Sequence, residues 1–427
     1  MTIQHIHDLF LKCSQVSIDT RKIAPNALFV AIKGDRFDAN TFAKEALEKG
    51  AAYVIIDNKE YYIDDRTILV EDSLKLLQEL AQYHRNFLKL TIVALTGSNG
   101  KTTTKELINA VLSKKFKTVA TVGNLNNHIG VPLTLLSFTK DTEIGIVEMG
   151  ANHQKEIEFL CEIAQPDYGF ITNFGKAHLE GFGGVEGVIK GKSEMYVYLK
   201  AHAKSVFVNL DDDLQNSKTT DIKRYGFSQK DRAADVFIES VVANPFVKID
   251  ALGKTIHSHL IGLYNANNIS AAITIGHHFG VSSSEIKAAI EHYIPENNRS
   301  QLLVKGSNEI ILDAYNANPS SMKVALDNFI QLDKPNKAIV IGDMYELGSE
   351  SLSEHKFIVD FLAKESSFEC HLVGKDFFAN AIKSEWLHFY STFDDFANFL
   401  SGHTFSQKII LIKGSRGMAL ERTLEYI

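Results

Sequence analysis

The sequence predicts a three-domain α/β protein, in which a central, mostly parallel sheet wound with helices is flanked by two further α/β units. Three observations support this prediction. The chain has 427 residues, more than a single hydrophobic core usually organises. Short apolar runs alternate with helical patterns along most of the chain, which is typical of parallel sheets covered by helices. A glycine-rich turn joins one of these runs to a helical pattern, which predicts a strand, a loop and a helix in the central unit.

The elements follow one another in order. Before residue 81, the runs LFVAI, YVIID and TILVED alternate with helical patterns such as residues 40–49, which predicts a small α/β unit over residues 1–80. Residues 81–297 contain the strand candidates IVALTG, TEIGIVEMG, YGFITNFG and SVFVNLD and form the predicted central unit. The runs NEIILDAY, KAIVIGDM, CHLVG and KIILIKGS then predict a Rossmann-like α/β unit over residues 298–427.

Composition excludes several classes of protein. The net charge of −7 leaves no global basic field of the kind that binds nucleic acid. Cys13, Cys161 and Cys370 form no CxxC pair, which argues against a zinc ribbon or a disulfide scaffold and fits a reducing compartment. There is no basic segment followed by an apolar core at the start, and no run of 18 apolar residues. We expect a cytoplasmic monomer with no nucleic-acid partner and no membrane span.

The segment TGSNGKTTTKE is the most informative part of the chain. Gly97 and Gly100 permit turns that let backbone N–H groups converge on a polyphosphate, while Lys101 supplies a positive charge and Thr102 a hydroxyl ligand for Mg²⁺. The segment therefore predicts a P-loop that binds ATP or GTP with magnesium. Leu95 stands where the general pattern has a glycine, and a chance glycine-rich loop before a helix is the alternative.

Two side chains follow predicted strands of the central unit. Glu148 ends the run IGIVEM, at the sheet edge that holds the phosphate loop, where a carboxylate can bind Mg²⁺. The alternative is that Glu148 only caps the next turn. His178 follows FITNFG, and a lone histidine is more often a structural hydrogen-bonding group than a metal ligand, so pattern alone leaves its role open.

Lys192 lies on the apolar stripe of the helix predicted over residues 185–199. An inward lysine with a lowered pKa could condense with CO₂ to form a metal-binding carbamate. The alternative is an apolar stem with its ammonium group in water. Lys190 lies on another face of this helix, where the pattern predicts an ion pair with Glu194 in solvent.

Asparagine-rich segments and a basic turn complete the set of candidates. GNLNNHIGVP, GLYNANNIS and DAYNANP are predicted to be loops, although their amides could also recognise adenine, a sugar or a peptide. KGSR follows the run IILI directly, which suits either an anionic ligand at the edge of a sheet or a solvated basic turn.

Taken together, these segments resemble the Mur ligases, the ATP-dependent amide-forming enzymes of bacterial peptidoglycan synthesis. Their phosphate loop typically reads TGTNGKTT, so Leu95 does not depart from this family's pattern. The resemblance covers nearly the whole chain. Within the family, GNLNNHIGVPLTLL, VEMGANHQKEI, NFGKAHLEGFG, YNANP, GDMYELG and KGSR are similar to the member that adds D-Ala-D-Ala to UDP-MurNAc-tripeptide.

The resemblance implies a role for each candidate residue. It implies ATP binding by Gly97, Asn99, Gly100, Lys101, Thr102, Thr103, Asn265, Asn268, Arg299 and Asp313. It implies two Mg²⁺ sites formed by Thr102, Glu148, His178 and Lys192, the last of which carries a CO₂-derived carbamate. It makes Lys101, Glu148, His178 and Lys192 the catalytic residues.

The remaining implied residues contact the other substrates. Those of the N-terminal unit, which would bind the UDP-sugar, are Ser17, Thr20, Arg21, Lys33, Gly34 and Phe37. Those that would contact the tripeptide or D-Ala-D-Ala, several of them in the C-terminal unit, are Asn124, Asn126, Asn127, Asn316, Asn318, Lys413, Ser415 and Arg416. The chain departs from the usual family residues at Asn40, at His128, and at the first and third residues of LDAYNANP.

Other functions stay open at this point. A sister amide ligase that adds a different amino acid, or an enzyme like folylpolyglutamate synthase, is the nearest rival. A nucleotide-switched binding protein would hydrolyse ATP slowly and form no bond, and a small-molecule kinase would release ADP without phosphate or an amide product.

Overall fold

The computed structural model describes residues 1–34, 37–296 and 298–427. In the first part of the chain, a four-stranded parallel sheet in the order β1-β2-β5-β6 and a small antiparallel pair, β3-β4, pack with three helices. The elements are α1 (Ile3–Phe10), β1 (Val16–Ser17), β2 (Leu28–Val30), β3 (Lys33–Gly34), β4 (Phe37–Asp38), α2 (Ala43–Glu48), β5 (Tyr53–Ile56), β6 (Thr67–Leu69) and α3 (Ser73–Leu88).

The central unit is built on a nine-stranded sheet. Its elements are β7 (Thr91–Thr96), α4 (Lys101–Leu112), β8 (Thr118–Ala120), α5 (Gly130–Leu136), β9 (Ile144–Glu148), α6 (Glu156–Ala164), β10 (Tyr168–Ile171), α7 (Leu179–Phe182), α8 (Val185–Ala201), β11 (Ser205–Asn209), α9 (Asp213–Lys218), β12 (Lys223–Ser228), β13 (Val236–Ala243), β14 (Phe246–Ala251), β15 (Lys254–Ile261), α10 (Asn265–His278) and α11 (Ser283–His292). The strand order is β15-β14-β13-β12-β11-β10-β7-β9-β8, parallel from β8 to β13 and antiparallel from β13 to β15.

The C-terminal unit contains a six-stranded sheet in the order β16-β17-β21-β18-β19-β20. It is parallel except for the hairpin β16-β17. Its elements are β16 (Gln301–Lys305), β17 (Asn308–Asp313), α12 (Pro319–Gln331), β18 (Lys337–Gly342), α13 (Ser351–Leu362), β19 (Glu369–Val373), α14 (Lys375–Ala379), β20 (Leu387–Tyr390), α15 (Phe393–Leu400) and β21 (Ile409–Lys413).

The α/β fold and the strands predicted from apolar runs are confirmed. Each run named above contains a strand, because a strand buried on both faces reads as a continuous apolar segment. The loop prediction for GLYNANNIS is wrong in its second half, because residues 265–270 form the first turns of α10. The antiparallel edge β13-β14-β15 has no counterpart among the predicted strands, since its exposed and buried positions alternate and give no apolar run.

Helix α3 joins the first sheet to the central one. It runs without interruption across residues 80 and 81 and packs against α1, α5 and α6. The buried Arg85 fixes its end, donating to the carbonyl oxygen of Ala164 at 3.3 Å and pairing with Asp167 at 2.9 Å. The domain bounds 1–80, 81–297 and 298–427 stay predictions, and Asn297 lies outside the described residues.

Two further observations bear on the type of protein. All three cysteines are free, and burial raises the pKa of the Cys13 thiol to about 11, which keeps it protonated. In the part of the chain that the structure describes, no helix has the length and apolar character needed to cross a membrane.

A buried histidine pair connects α1 to α3. His7 Nε2 lies 2.9 Å from His84 Nδ1, and His84 Nε2 lies 2.9 Å from the carbonyl oxygen of Phe138. Burial lowers the pKa of both rings, and the neighbouring His84 lowers that of His7 further. Both rings are therefore neutral in the folded protein near neutral pH.

The pair is expected to make folding sensitive to mild acid. Because both folded-state pKa values lie below the ordinary value of 6.5, the unfolded chain takes up protons first as the pH falls. Stability should be unaffected above about pH 6.5 and decrease below it, by up to about 1.4 kcal/mol per pH unit for each histidine. Thermal unfolding between pH 7.5 and 5.5 measures this decrease, and His7→Phe should make it shallower. An equal slope in the variant would contradict the assignment.

Candidate active site

A cavity of about 960 Å³ lies between the central and C-terminal units. Its walls come from the phosphate loop, from residues 124–128, from the segments after β9 and β10, from the start of α10, and from the segments before β16 and after β17. The predicted site residues that line it are Asn99, Gly100, Lys101, Thr102, Thr103, Asn124, Asn126, Asn127, Glu148, His178, Asn265, Asn268, Arg299, Asp313, Asn316, Asn318 and Lys413.

The phosphate loop needs glycine at two positions. Gly97 has φ +141°, and a Cβ there would lie 1.9 Å from Thr172 Oγ1. Gly100 has φ +79°, and a Cβ there would lie 2.6 Å from Asn268 Oδ1. The two glycines therefore supply both the unusual backbone angles and the room for close approach by neighbouring segments.

Gly97→Ala is expected to damage the phosphate loop. The added methyl group would displace Thr172 or the loop itself, so nucleotide affinity should fall by at least about tenfold, since a loss of 1.4 kcal/mol is tenfold in binding. Isothermal titration with a non-hydrolysable ATP analogue measures this loss. Gly253→Ala is the matched control, because Gly253 also has positive φ, +68°, but open space around its Cβ position. Equal affinities in wild type and Gly97→Ala would contradict the expectation.

The first turn of α4 points free donors into the cavity. Gly100 is its N-cap and provides no side-chain cap, and the first backbone bond runs from Thr104 N to Gly100 O at 2.9 Å. The N–H groups ahead of Thr104 are therefore available to an anion. Lys101 Nζ meanwhile donates to Gly97 O at 2.7 Å.

Positive charge gathers around this loop. Burial lowers the pKa of Lys101, the nearby Glu148 raises it, and Arg299 lowers it further. Arg299 stacks on the Tyr315 ring at 3.5 Å, and its buried Nε has no partner among the described residues. Two cations opposed by one carboxylate suit a polyphosphate.

Glu148 has one carboxylate oxygen engaged and one free. The residue is 1% exposed; Oε1 accepts a hydrogen bond from Asn126 Nδ2 at 2.8 Å, and Oε2 has no partner among the described residues. A buried carboxylate oxygen without a donor is costly, and a bound cation would satisfy it. The oxygen does not cap the following turn, which was the alternative prediction.

Lys192 is buried, as the pattern of α8 predicted. It is 1% exposed, its Nζ donates to Ala151 O at 3.2 Å, and it lies 5.1 Å from the centroid of the Phe182 ring. Burial lowers the pKa of Lys192 well below its usual range, and the charge of Lys101 lowers it further. The ammonium group does not reach water, so the alternative of a solvated head is excluded.

The predicted ion pair between Lys190 and Glu194 is wrong. Glu194 is 9% exposed, and its carboxylate accepts the backbone N–H groups of Lys155 at 2.6 Å and Glu158 at 3.1 Å. It caps the start of α6, whose positive helix end stabilises the buried charge better than a flexible lysine does. Helix α8 therefore holds the segment after Glu148 at two points, through Lys192 and through Glu194.

His178 connects the two units that form the cavity. It adopts φ +52°, and its Nδ1 contacts the carboxylate of Glu346 in the C-terminal unit. The same hydrogen bond lowers the pKa of Glu346. The lone histidine is thus tied to a segment more than 160 residues away in the sequence.

Other polar contacts cross between these units. Asn318 Nδ2 donates to Asn99 Oδ1 at 2.7 Å, and Lys176 Nζ lies 2.5 Å from the carboxylate of Glu354. The backbone N–H of Lys176 donates to Ser320 Oγ at 2.8 Å. The C-terminal unit therefore touches the phosphate loop directly.

Known proteins resemble this chain over nearly its whole length. Sequence profiles match the Mur ligase family, catalytic domain, over residues 12–85, the Mur ligase middle domain over 95–276, and the Mur ligase, glutamate ligase domain, over 298–416. The UDP-N-acetylmuramoyl-tripeptide--D-alanyl-D-alanine ligase of Bacillus subtilis (strain 168) is 33% identical over 421 residues, which cover 96% of this chain and 92% of that protein. The enzyme of the same name from Escherichia coli (strain K12) is 33% identical, with the same coverage.

The chain belongs to the Mur ligase family.

Solved structures agree with this assignment. MurF from Acinetobacter baumannii superposes with a TM-score of 0.86 at 29% identity, covering 99% of this chain and 97% of that one. MurF ligase from Thermotoga maritima in complex with ADP superposes with a TM-score of 0.84 at 28% identity, covering 98% and 97%. A folylpolyglutamate synthase from Mycobacterium tuberculosis, at 11% identity and a TM-score of 0.61, shares the fold.

Two asparagines of this Mur ligase pack against its phosphate loop. Asn265 Nδ2 donates to Ile261 O at 2.8 Å, and Asn268 Nδ2 donates to Asn265 Oδ1 at 2.8 Å. Asn268 Oδ1 accepts from the Thr104 hydroxyl at 3.0 Å. Both side chains are buried with these bonds in place, so they hold α10 against α4 at the wall of the cavity.

The Asn127 side chain and the basic turn have their polar groups largely satisfied within the Mur ligase. Asn127 Oδ1 accepts the N–H of Gly130 at 2.9 Å. Lys413 is 2% exposed and pairs with Asp313 at 2.6 Å, and Ser415 Oγ accepts the N–H of Tyr345 at 2.9 Å. Arg416 is exposed and pairs with Glu421. Ser415 and Arg416, like Gly97 and Lys192, do not line the cavity.

The predicted UDP-sugar residues lie on the N-terminal unit, outside this cavity. Ser17 is buried in β1, and Thr20 and Arg21 lie in a short 3-10 helix where Arg21 pairs with Asp19 at 2.8 Å. Lys33, Gly34 and Phe37 belong to the β3-β4 pair, and Phe37 is 61% exposed.

The three departures from family residues have structural settings. Asn40 is fully buried and its side chain donates to Asp38 and Asp57 at 2.7 Å each. It thus braces the N-terminal unit. His128 lines the cavity, and Leu312 is a core residue of β17.

Several residues of the cavity wall were not among the sequence candidates, and three of these make specific contacts at the site. Asn173 brackets the phosphate loop, accepting from Asn99 N at 3.1 Å and donating to Asn99 O at 3.0 Å. Tyr264 bonds to Ser300 at 2.7 Å, and Tyr315 stacks under Arg299. For Asn173 and Tyr315 the position just after β10 and β17 was the available signal, because the ends of parallel strands collect ligand groups.

Proposed function

We propose that this Mur ligase joins D-Ala-D-Ala to the terminal carboxylate of UDP-MurNAc-tripeptide at the expense of ATP, a step of peptidoglycan precursor synthesis. One observation carries the proposal. One cavity, which the central and C-terminal units form together, is lined by the N-terminus of α4, by Lys101 and Arg299, and by Glu148 with its unpartnered oxygen. The relatives named UDP-N-acetylmuramoyl-tripeptide--D-alanyl-D-alanine ligase, which match over nearly their whole length, support the choice of substrates.

The chemistry takes place in two steps on the substrates. The carboxylate of the tripeptide attacks the γ-phosphoryl group of ATP and ADP leaves, which produces an acyl phosphate. The amine of D-Ala-D-Ala then attacks the acyl carbon, phosphate leaves, and the nitrogen loses a proton. Both steps build negative charge on oxygen, which Lys101, Arg299 and the N–H groups of α4 offset.

The residues present fit Mg²⁺. The free Oε2 of Glu148 and the hydroxyl of Thr102 are hard oxygen ligands, and His178 lines the same cavity. Among the described residues no group of three or more His, Cys, Asp or Glu side chains could hold a metal by itself. Nucleotide phosphates and water would complete the coordination, as they do in kinases and ATPases. When bound, Mg²⁺ supplies positive charge to the transferring phosphoryl group.

A CO₂-derived carbamate on Lys192 would add a second anionic ligand. Burial lowers the pKa of Lys192 and so favours its neutral amine, which is the form that condenses with CO₂. Without the carbamate, Lys192 holds the segment after Glu148 through its hydrogen bond to Ala151 O.

The C-terminal unit completes the site, and we expect it to open and close over ATP. Closure would exclude water, which otherwise hydrolyses the acyl phosphate. Small-angle scattering should change on addition of an ATP analogue with both substrates. Identical profiles with and without these ligands would count against the motion.

Glu354→Ala is expected to weaken closure. It removes the pairing of Lys176 with a buried carboxylate, worth about 1 kcal/mol because Lys176 is half-exposed. KM for ATP should rise about fivefold, with kcat largely kept. The charge-swapped pair Lys176→Glu with Glu354→Lys should recover part of the loss. An unchanged KM for ATP would show that the pair does not assist closure.

Product analysis tests the proposed function. ATP, Mg²⁺, D-Ala-D-Ala and UDP-MurNAc-tripeptides that differ in the third residue are incubated with the enzyme, and the products are weighed by mass spectrometry. A product heavier by D-Ala-D-Ala less water is expected, together with ADP and phosphate. Addition of a single amino acid or glutamate would indicate a sister ligase, and ADP without phosphate would indicate a kinase. No amide product at all would refute the proposal.

A further inference from the structure

The segment GDMYELG, at residues 342–348, does not line the cavity and has no role in the chemistry described so far. Its Glu346 belongs to the C-terminal unit and reaches across to the central unit twice. The carboxylate contacts His178 Nδ1, and the backbone carbonyl accepts the N–H of Glu180 at 3.3 Å. A side chain and a main-chain contact together fix Glu346 against the start of α7.

Both partners of this contact have unusual backbones. His178 has φ +52° and Glu346 has φ +63°, although neither is glycine. Such conformations cost energy and persist where surrounding contacts impose them, often at functional sites. The two contacts of Glu346 supply that constraint. Glu346 is about half exposed, and an ion pair at such a position contributes little to stability. Stability alone therefore does not account for two costly backbone conformations.

The contact also bears on the tautomer of the His178 ring. An imidazole that donates Nδ1–H to a carboxylate has its Nε2 unprotonated and free to bind a cation or accept a proton. Carboxylates that hold a histidine in this way fix its tautomer and orientation. His178 is among the residues that line the cavity, where the chemistry is proposed.

We propose that Glu346 is a positioning residue, which the C-terminal unit supplies to His178 when it closes, so that His178 is oriented for a divalent cation only in the closed enzyme. This inference rests on the proposed function. Closure would then have a second consequence besides covering ATP, because His178 is oriented to bind the cation only when both units meet.

Two cross-unit carboxylates allow a matched comparison. Glu346→Ala and Glu354→Ala each remove one link between the units, but only Glu346 touches His178. Glu346→Ala should raise the Mg²⁺ concentration for half-maximal activity by about 10-fold to 100-fold and lower kcat, the range for loss of such a partner. Glu354→Ala should change KM for ATP alone. Glu346→Gln keeps an acceptor oxygen and should recover most of the loss.

A spectroscopic readout tests the contact without turnover. In proton NMR spectra of the enzyme with Mg²⁺ and an ATP analogue, a hydrogen-bonded imidazole N–H signal should be present in wild type. It should be absent in both His178→Gln and Glu346→Ala, and present in Glu354→Ala. Persistence of the signal in Glu346→Ala would overturn the proposal, as would Mg²⁺ dependence that is equal in the two alanine variants. A wild type that forms no amide would instead refute the proposed function, and the NMR comparison would still decide the role of Glu346.

Discussion

Lys192→Ala is expected to lose nearly all ligase activity, by about 10²–10³-fold in kcat, which is the cost of removing one electrostatic group from an active site. The side chain is buried with its pKa strongly lowered, so the structure favours the neutral amine that carbamate formation requires. Added short-chain carboxylates such as acetate should restore part of the rate, because they can occupy the space of the proposed carbamate. Steady-state phosphate release measures both effects.

Lys190→Ala is the matched control, since Lys190 is an exposed lysine on the same helix. It should retain full activity with or without carboxylate. Full activity of Lys192→Ala would remove the carbamate assignment. Loss of activity with no recovery by any small carboxylate would indicate that Lys192 acts only through its hydrogen bond to Ala151 O.

Glu148→Gln is expected to have an effect of similar size, about 10²–10³-fold in kcat/KM. Glutamine keeps the acceptor for Asn126 and the shape of the side chain, but it replaces the unpartnered oxygen by an NH₂ group that repels a cation. The Mg²⁺ concentration for half-maximal activity should therefore increase together with the loss of rate. Titration of Mg²⁺ at saturating ATP measures this shift.

The control for this variant is Glu239→Gln, at an exposed position of β13 in the same sheet. Its activity should equal that of wild type. If Glu148→Gln kept the Mg²⁺ requirement of wild type, the free carboxylate oxygen would have another role. Thermal unfolding of both variants shows whether the fold is intact, and we expect Glu148→Gln to be at least as stable as wild type, because it removes a buried charge.

The sequence predicted the phosphate loop well because its chemistry is local. Gly97, Gly100, Lys101 and Thr102 lie within six residues, and each acts through its own backbone angle or its place at a helix start. The inward face of Lys192 was likewise a matter of helical spacing within α8.

Features that depend on tertiary contacts were not predictable in this way. Glu194 has the right spacing for an ion pair with Lys190, but the start of α6, about 40 residues earlier, provides better partners. Asn265 and Asn268 suit a loop by composition, and burial against α4 makes them helical instead. The contact of His178 with Glu346 depends on how two units meet, which no local pattern records.

The continuous helix α3, with Arg85 bonded at its end, connects the first sheet directly to the central one and packs against helices of both units. On the proposed assignment, the uridine end of the sugar nucleotide is held on the first sheet while its peptide end must reach the phosphate loop. The distance between these two points is then set by the protein and not by the ligand. Such an enzyme selects its substrate by length. It would discriminate against peptides one residue shorter or longer, even where every contacting group is the same, because their terminal carboxylate would not lie at the phosphate loop.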